Sequence, residues 1–149
     1  GGVGLICACD FAIGVDTARF GTTEARVGVF PMMILPLLMR VIPRRRLQEM
    51  CFLAERFPAA KALELGILGH VVPPAGLDAA VDALVNQLAA NSPVALRMGR
   101  RAFSAMSGLN LDDALNLAQM VLPVLSQSED CKEGMRAFAE KRAPVWTNR

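Results

Sequence analysis

Pro58-Ala59-Ala60-Lys61-Ala62-Leu63-Glu64-Leu65-Gly66-Ile67-Leu68-Gly69-His70-Val71-Val72-Pro73-Pro74 is the stretch that decides the fold. Proline at the entry suits the start of a helix, and residues 59–65 are good helix formers. Gly66 stands where a left-handed cap is wanted. Ile67 to Val72 has strand character and stops at the proline pair, which cannot continue a ladder. A short helix leading through a glycine turn into a strand is an α/β unit, and the rest of the chain is read outward from it.

Upstream, Val15 to Phe20 reads as a turn and a short strand. Gly21-Thr22-Thr23 then lead to Glu24 in a loop or first helical turn, beside a strongly apolar segment. Leu35 to Ile42 predicts a buried helix broken near Pro43, and Arg44 to Met50 opens another with Leu47, Met50 and Cys51 as its apolar face. Leu5 to Ala8 is continuously apolar and Phe11 to Ile13 follows, so this region is expected to be buried on more than one side. Buried strands need partners, and the expectation is that strands preceding residue 1 supply them.

Downstream, Leu77, Ala80, Val81, Leu84, Val85 and Leu88 fall at helical spacing. Ser92 and Pro93 open a further helix that runs to about Met106. Leu111 to about Ser126 follows, with Asp112 and Asp113 near its positive end and a kink expected at Pro123. The last helix is expected from about Asp130 to Arg142, with Asp130 and Glu133 at capping-box spacing and Cys131, Met135 and Phe138 along one side.

The 149 residues can bury a core without help from a metal or a disulfide. The 16 basic and 14 acidic side chains are interleaved and leave a net charge of only +2, so a nucleic-acid partner is not expected. Cys7, Cys9, Cys51 and Cys131 lack CxxC spacing, and with His70 as the single histidine they make a poor zinc constellation. Reduced thiols, together with the lack of a basic leader ahead of an apolar stretch, give the expectation of a cytoplasmic protein. The most apolar run, Val27 to Met39, is shorter than the roughly 20 residues of a membrane span. It is also interrupted by Pro31 and Pro36, so no span is expected. Gly2-x-Gly4 lacks the third glycine of a dinucleotide-binding loop, since Cys7 occupies that position.

Four segments carry a family likeness. Gly1-Gly2-Val3-Gly4-Leu5 with Cys9-Asp10 resembles the end of a glycine-rich segment of the crotonase, or enoyl-CoA hydratase/isomerase, superfamily. Ala18-Arg19-Phe20-Gly21-Thr22-Thr23-Glu24 with Val27-Gly28-Val29-Phe30-Pro31 resembles the stretch holding its catalytic glutamate. Ala59 to Leu68 with Val71-Val72-Pro73 resembles its helix-turn-strand signature. Glu129 to Phe138, with Glu140-Lys141-Arg142 and Pro144, resembles its carboxyl-terminal signature. The resemblance implies an α/β, crotonase-like (ClpP/crotonase) spiral of ββα repeats, here its C-terminal part over 1–75. It also implies a helical trimerisation region over 76–149, which assembles homo-trimers or hexamers.

The implied chemistry is that of an acyl-CoA thioester, which serves as substrate with no metal or redox cofactor. Backbone N–H groups stabilise the enolate oxygen while a carboxylate moves a proton at the adjacent carbons. Counting back from Asp10 places one N–H on Gly1; the other is implied to lie on a segment preceding residue 1. Glu24 matches the family's acid/base glutamate. A second glutamate, which in many hydratases helps hold water, would fall on Gly4, so a one-base reaction such as double-bond isomerisation fits better than two-carboxylate hydration. Asp16 is a conceivable substitute that no spacing supports.

Phe30, Met32 and Met33, with Leu35, are candidates to line an acyl pocket, because thioethers adapt to varied chains; core packing explains them equally. Lys141 resembles a family lysine near the coenzyme A region, and an ordinary helix-end cation is an equal alternative. Arg44-Arg45-Arg46 reads as a solvated helix start rather than a phosphate or RNA site. His70 reads as structural. The rival to an enzyme is an inactive crotonase-like assembly or binding protein that has kept the helices and lost the site.

Overall fold

The computed structural model describes residues 1–149. The chain forms two compact units, Gly1–Ala83 and Leu84–Arg149. The division falls inside the helix Leu77–Ala89, into which the short 3₁₀ turn Pro74–Gly76 leads directly.

The first unit opens with helix α1 (Gly2–Ala8), where the sequence suggested a buried sheet segment. Helical spacing puts Gly4 and Cys7 on the inner face and leaves Leu5 73% exposed, so residues 5–8 are not buried on several sides as expected. α1 packs against α2 (Leu35–Val41). At the contact, a Cβ on Gly4 would lie 2.8 Å from the Cβ of Ile34, the residue that caps α2.

β1 (Ile13–Val15) pairs in parallel with β4 (His70–Val72), matching Ile13 to His70 and Val15 to Val72. β2 (Arg19–Phe20) pairs antiparallel with β3 (Phe57–Pro58), matching Arg19 to Pro58 and Phe20 to Phe57. Between them, α3 (Arg44–Leu53) buries Leu47, Met50 and Cys51, the face its periodicity predicts. α4 (Ala59–Glu64) follows, and Gly66 takes the expected left-handed conformation at φ 80°. The strand after it is shorter than Ile67–Val72. The amides of Ile67 and Leu68 both donate to Ala62 O, so these two residues belong to the helix-ending turn and plug the core. That core is built on Leu38, Ile42, Leu47, Cys51, Ala59 and Ala62.

α5 (Leu77–Ala89) carries the chain across the division, and its apolar stripe is at most half-buried. α6 (Pro93–Met106), α7 (Leu111–Ser126, with Pro123 inside it) and α8 (Glu129–Glu140) complete the second unit. Ser92 Oγ caps α6 by accepting from Ala95 N at 3.1 Å, as its position predicts. The cap of α8 is Ser128, whose Oγ accepts from Cys131 N at 3.1 Å, and not Asp130. Asp130 lies inside the first turn and is turned inward, 1% exposed. There it accepts from Thr147 N (2.8 Å), Asn148 N (3.0 Å) and Ser92 Oγ (2.9 Å), which ties the carboxyl-terminal residues to α6 and α8.

Glu133 likewise accepts from the two terminal guanidinium nitrogens of Arg142, Nη1 at 2.6 Å and Nη2 at 3.1 Å, and from Val145 N at 3.0 Å. The inner face of α8 is thus Asp130, Ala137 and Gly134, the last under the Trp146 indole. Met135 and Phe138, read from the sequence as an inner apolar side, are 60% and 87% exposed. No helix is long and apolar enough to cross a membrane.

These clamps make the carboxyl terminus acid-sensitive. The Arg142 guanidinium, then the Val145 amide, hold the Glu133 carboxyl down from its ordinary 4.5 to about 2. Burial alone would raise Asp130, but hydrogen bonds from Thr147, Ser92 and Asn148 outweigh it and leave that carboxyl below its ordinary value. A carboxyl held down on folding contributes stability that is fully present above its unfolded value and is lost as pH falls toward the folded one. Docking of residues 143–149 is therefore expected to weaken between about pH 4.5 and pH 2. Trp146, the single tryptophan, reports it: its Nε1 donates to Ala90 O at 2.9 Å, and its fluorescence should shift over that window before the far-ultraviolet helix signal is lost.

Candidate active site

Glu24 is held at the head of a 3₁₀ turn, Glu24–Val27, that is closed by Gly28 at φ 79°. Three neighbours fix this turn. Gly21 has φ 153°, and a Cβ there would lie 2.5 Å from Glu55 O, so the backbone approach is open only to glycine. Thr22 is 2% exposed, and its hydroxyl reaches Met50 O at 3.4 Å and Cys51 Sγ at 3.5 Å, linking the turn to α3. Val29 N donates to Glu24 O at 3.2 Å.

Glu24 faces a cleft of about 460 Å³. Its lining includes Gly1, Gly2 and Val3 from the start of α1, Ile34, and the strip Arg19 to Gly21. The Glu24 Oε2 atom is buried and has no hydrogen-bond partner. A buried carboxylate oxygen without a donor is costly, and folded proteins retain such groups mostly where function requires them.

The cleft thus brings together the two residues singled out for catalysis, Glu24 and Gly1. Gly4 is not part of the lining; a Cβ there would run into Ile34, which is. Phe30 is half-buried and packs on Phe52 with ring centroids 5.6 Å apart, while Met32 and Met33 are 67% and 90% exposed in the turn before α2. None of these three lines the cleft. Lys141 is the left-handed cap of α8, at φ 53° and exposed. Asp16 and His70 are exposed, the former anchored by its amide to Val72 O at 3.0 Å. Arg44, Arg45 and Arg46 are exposed at the start of α3, where Arg46 pairs with Glu49 at 3.4 Å. No group of three or more His, Cys, Asp or Glu side chains is placed to hold a metal ion.

The two basic residues of the cleft, Arg19 and Arg56, were not singled out from the sequence. Their signal was weak: each is one charge at a strand end, and only the β2–β3 pairing brings them to the same place.

A sequence model of the enoyl-CoA hydratase/isomerase family matches residues 1–149. The enoyl-CoA hydratase EchA19 of Mycobacterium tuberculosis is 31% identical over all of this chain and 56% of its own length. The carnitinyl-CoA dehydratase of Salmonella typhi is 32% identical over all of this chain and 59% of its own. Among solved structures, an enoyl-CoA hydratase of Mycobacterium smegmatis superimposes on 97% of this chain with a TM-score of 0.94 at 30% identity, covering 56% of that protein. Human enoyl-CoA hydratase domain-containing protein 3 does so with a TM-score of 0.91 at 32% identity, covering 57% of its own length. The chain spans somewhat over half the length of these relatives. From the match along its full length and the shared architecture, the chain belongs to the enoyl-CoA hydratase/isomerase family.

Proposed function

We propose that this chain carries the acid/base half of an enoyl-CoA isomerase site, with Glu24 as the single proton carrier. The observation that supports the reading most is that Glu24, whose buried Oε2 has no partner, lines the same cleft as Gly1. On a 3-enoyl thioester, Glu24 takes a proton from C2. The electron pair moves onto the thioester oxygen, toward which the Gly1 N–H is proposed to point as one donor. The enolate then re-forms the carbonyl as the double bond shifts from C3–C4 to C2–C3, and Glu24 returns the proton to C4. One base at the start and one acid at the end balance the step.

Hydration needs a second carboxylate to hold water, and the position implied for it is Gly4. Its would-be side chain runs into Ile34, which supports isomerisation over hydration. Phe30, Met32 and Met33 are proposed to meet the acyl chain only of substrates too long for the cleft, and Lys141 to contact coenzyme A. Exposed Phe103, Met120 and Phe138 in the second unit, 83%, 73% and 87% accessible, support assembly into trimers or hexamers.

The test is to give the full-length protein a 3-enoyl-CoA and crotonyl-CoA separately. Absorbance of the conjugated thioester should grow with the first and stay constant with the second. Loss of crotonyl-CoA absorbance at a comparable rate would replace isomerisation by hydration, and no change with either would leave the inactive binding protein as the better reading.

A further inference from the structure

We infer that the Glu24 cleft selects thioesters whose acyl chain carries an anionic group, a carboxylate at its far end, and that Arg19 and Arg56 recognise it. The inference rests on the isomerase reading above and adds its substrate class. In an antiparallel pair, residues directly opposite one another share a face, and so do residues two apart on one strand. Arg19 is opposite Pro58, and Arg56 is two residues before Pro58, so both arginines project from one face of the β2–β3 ribbon. Their side chains start roughly 7–8 Å apart on this diagonal, close enough for two guanidiniums to grip one carboxylate.

Burial agrees with the register. Phe20 and Phe57 turn to the other face, with ring centroids 6.5 Å apart and Phe20 buried, while Arg19, Arg56 and Pro58 are exposed. The close approach of Gly21 to Glu55 O and Arg56 Cα continues the same pairing one step further.

Both arginines line the cleft with Glu24, and neither guanidinium makes a hydrogen bond or ion pair. The neighbouring acid does not neutralise them: Glu55 alternates to the opposite side, where it lines a separate groove with Lys61 and Arg46. Glu24 is the only acidic residue in the cleft lining, and its buried oxygen is unpaired, so neither arginine holds it. Two like charges side by side with no counter-ion repel, and a bound anion relieves that repulsion. A purely hydrocarbon chain offers the two guanidiniums no counter-charge.

The experiment compares kcat/KM of the full-length protein for a neutral 3-enoyl-CoA and for a 3-enoyl-CoA of similar length that ends in a carboxylate. The wild-type ratio, acidic over neutral, is expected at about 10 or more, and Arg19→Gln or Arg56→Gln should each lower it about tenfold, corresponding to the loss of one charge-assisted contact. Arg19→Lys, which keeps the charge but not the fork, should restore part of it. A wild-type ratio near one overturns the inference while leaving the isomerase reading intact. Equal losses on both substrates also overturn it, because the arginines would then meet something common to both, such as the coenzyme A phosphates. If neither substrate turns over, calorimetry with the saturated acids' thioesters decides: tighter binding of the carboxylate-ended one, lost in Arg19→Gln, upholds the inference, and equal or absent binding removes it.

Discussion

Glu24→Gln is expected to lower kcat on a 3-enoyl thioester by about 10³-fold, in the middle of the range for removing a general acid/base. The change keeps the shape of the side chain and removes only its capacity to carry a proton. The 3₁₀ turn is held by the backbone of Gly21, the Thr22 hydroxyl and the Val29 amide, none of which depends on the carboxylate. KM should therefore stay within a few-fold of wild type, and the loss should appear in kcat. Folding should improve slightly if anything, because Oε2 has no donor to lose and a neutral amide is cheaper to bury. Exchange of the C2 protons of a saturated acyl-CoA with deuterated water, followed by NMR, gives a second readout of the same step. An unchanged kcat in the Gln variant would remove Glu24 from the mechanism.

Gly21→Ala should cost about 3 kcal/mol of stability, the sum of a strained backbone and an overpacked contact. The φ of 153° is a region that residues with a Cβ avoid, and the added methyl would lie 2.5 Å from a backbone oxygen that belongs to the β2–β3 connection and has little room to retreat. Gly28→Ala is the milder comparison. Its φ of 79° lies near the left-handed region that alanine enters at modest cost, and nothing lies within 4 Å of the new methyl, so its cost should be nearer 1 kcal/mol. Urea unfolding of the two variants measures the difference. If both lose the same amount, the close approach of Gly21 to Glu55 is not what holds the turn. Because Gly21 sits three residues before the acid, its variant should also lose activity beyond what its stability explains.

Much of the second unit was legible in the sequence. Ser92-Pro93 and the Asp112-Asp113 pair carry their own local chemistry there, as Gly66 after α4 does in the first unit, and the helices they delimit occur where that chemistry places them. Glu24 and Gly1, which line one cleft, were brought together in the reading of the sequence by the family likeness rather than by any property of one glutamate and one glycine. The misreadings share a cause. Leu5–Ala8 is as apolar as a buried strand, but the choice of helix depends on packing Gly4 against Ile34. Asp130 has the spacing of a cap, yet it is drawn inward by amides from residues 147 and 148 at the end of the chain. Met135 and Phe138 keep a helical period whose outward direction no single-chain pattern reveals.

Local rules of capping, turn formation and periodicity act within a few residues, so the sequence by itself determined where most helices begin and end and that a carboxylate stands in a tight turn after a short strand. Only the tertiary structure decided that this carboxylate is buried without a donor, that Ile34 occupies the space at Gly4, and that Arg19 and Arg56 share its cleft. The last two of those facts depend on contacts between residues some 30 or more positions apart, whose encounter is set by strand register and core packing rather than by any pattern along the chain.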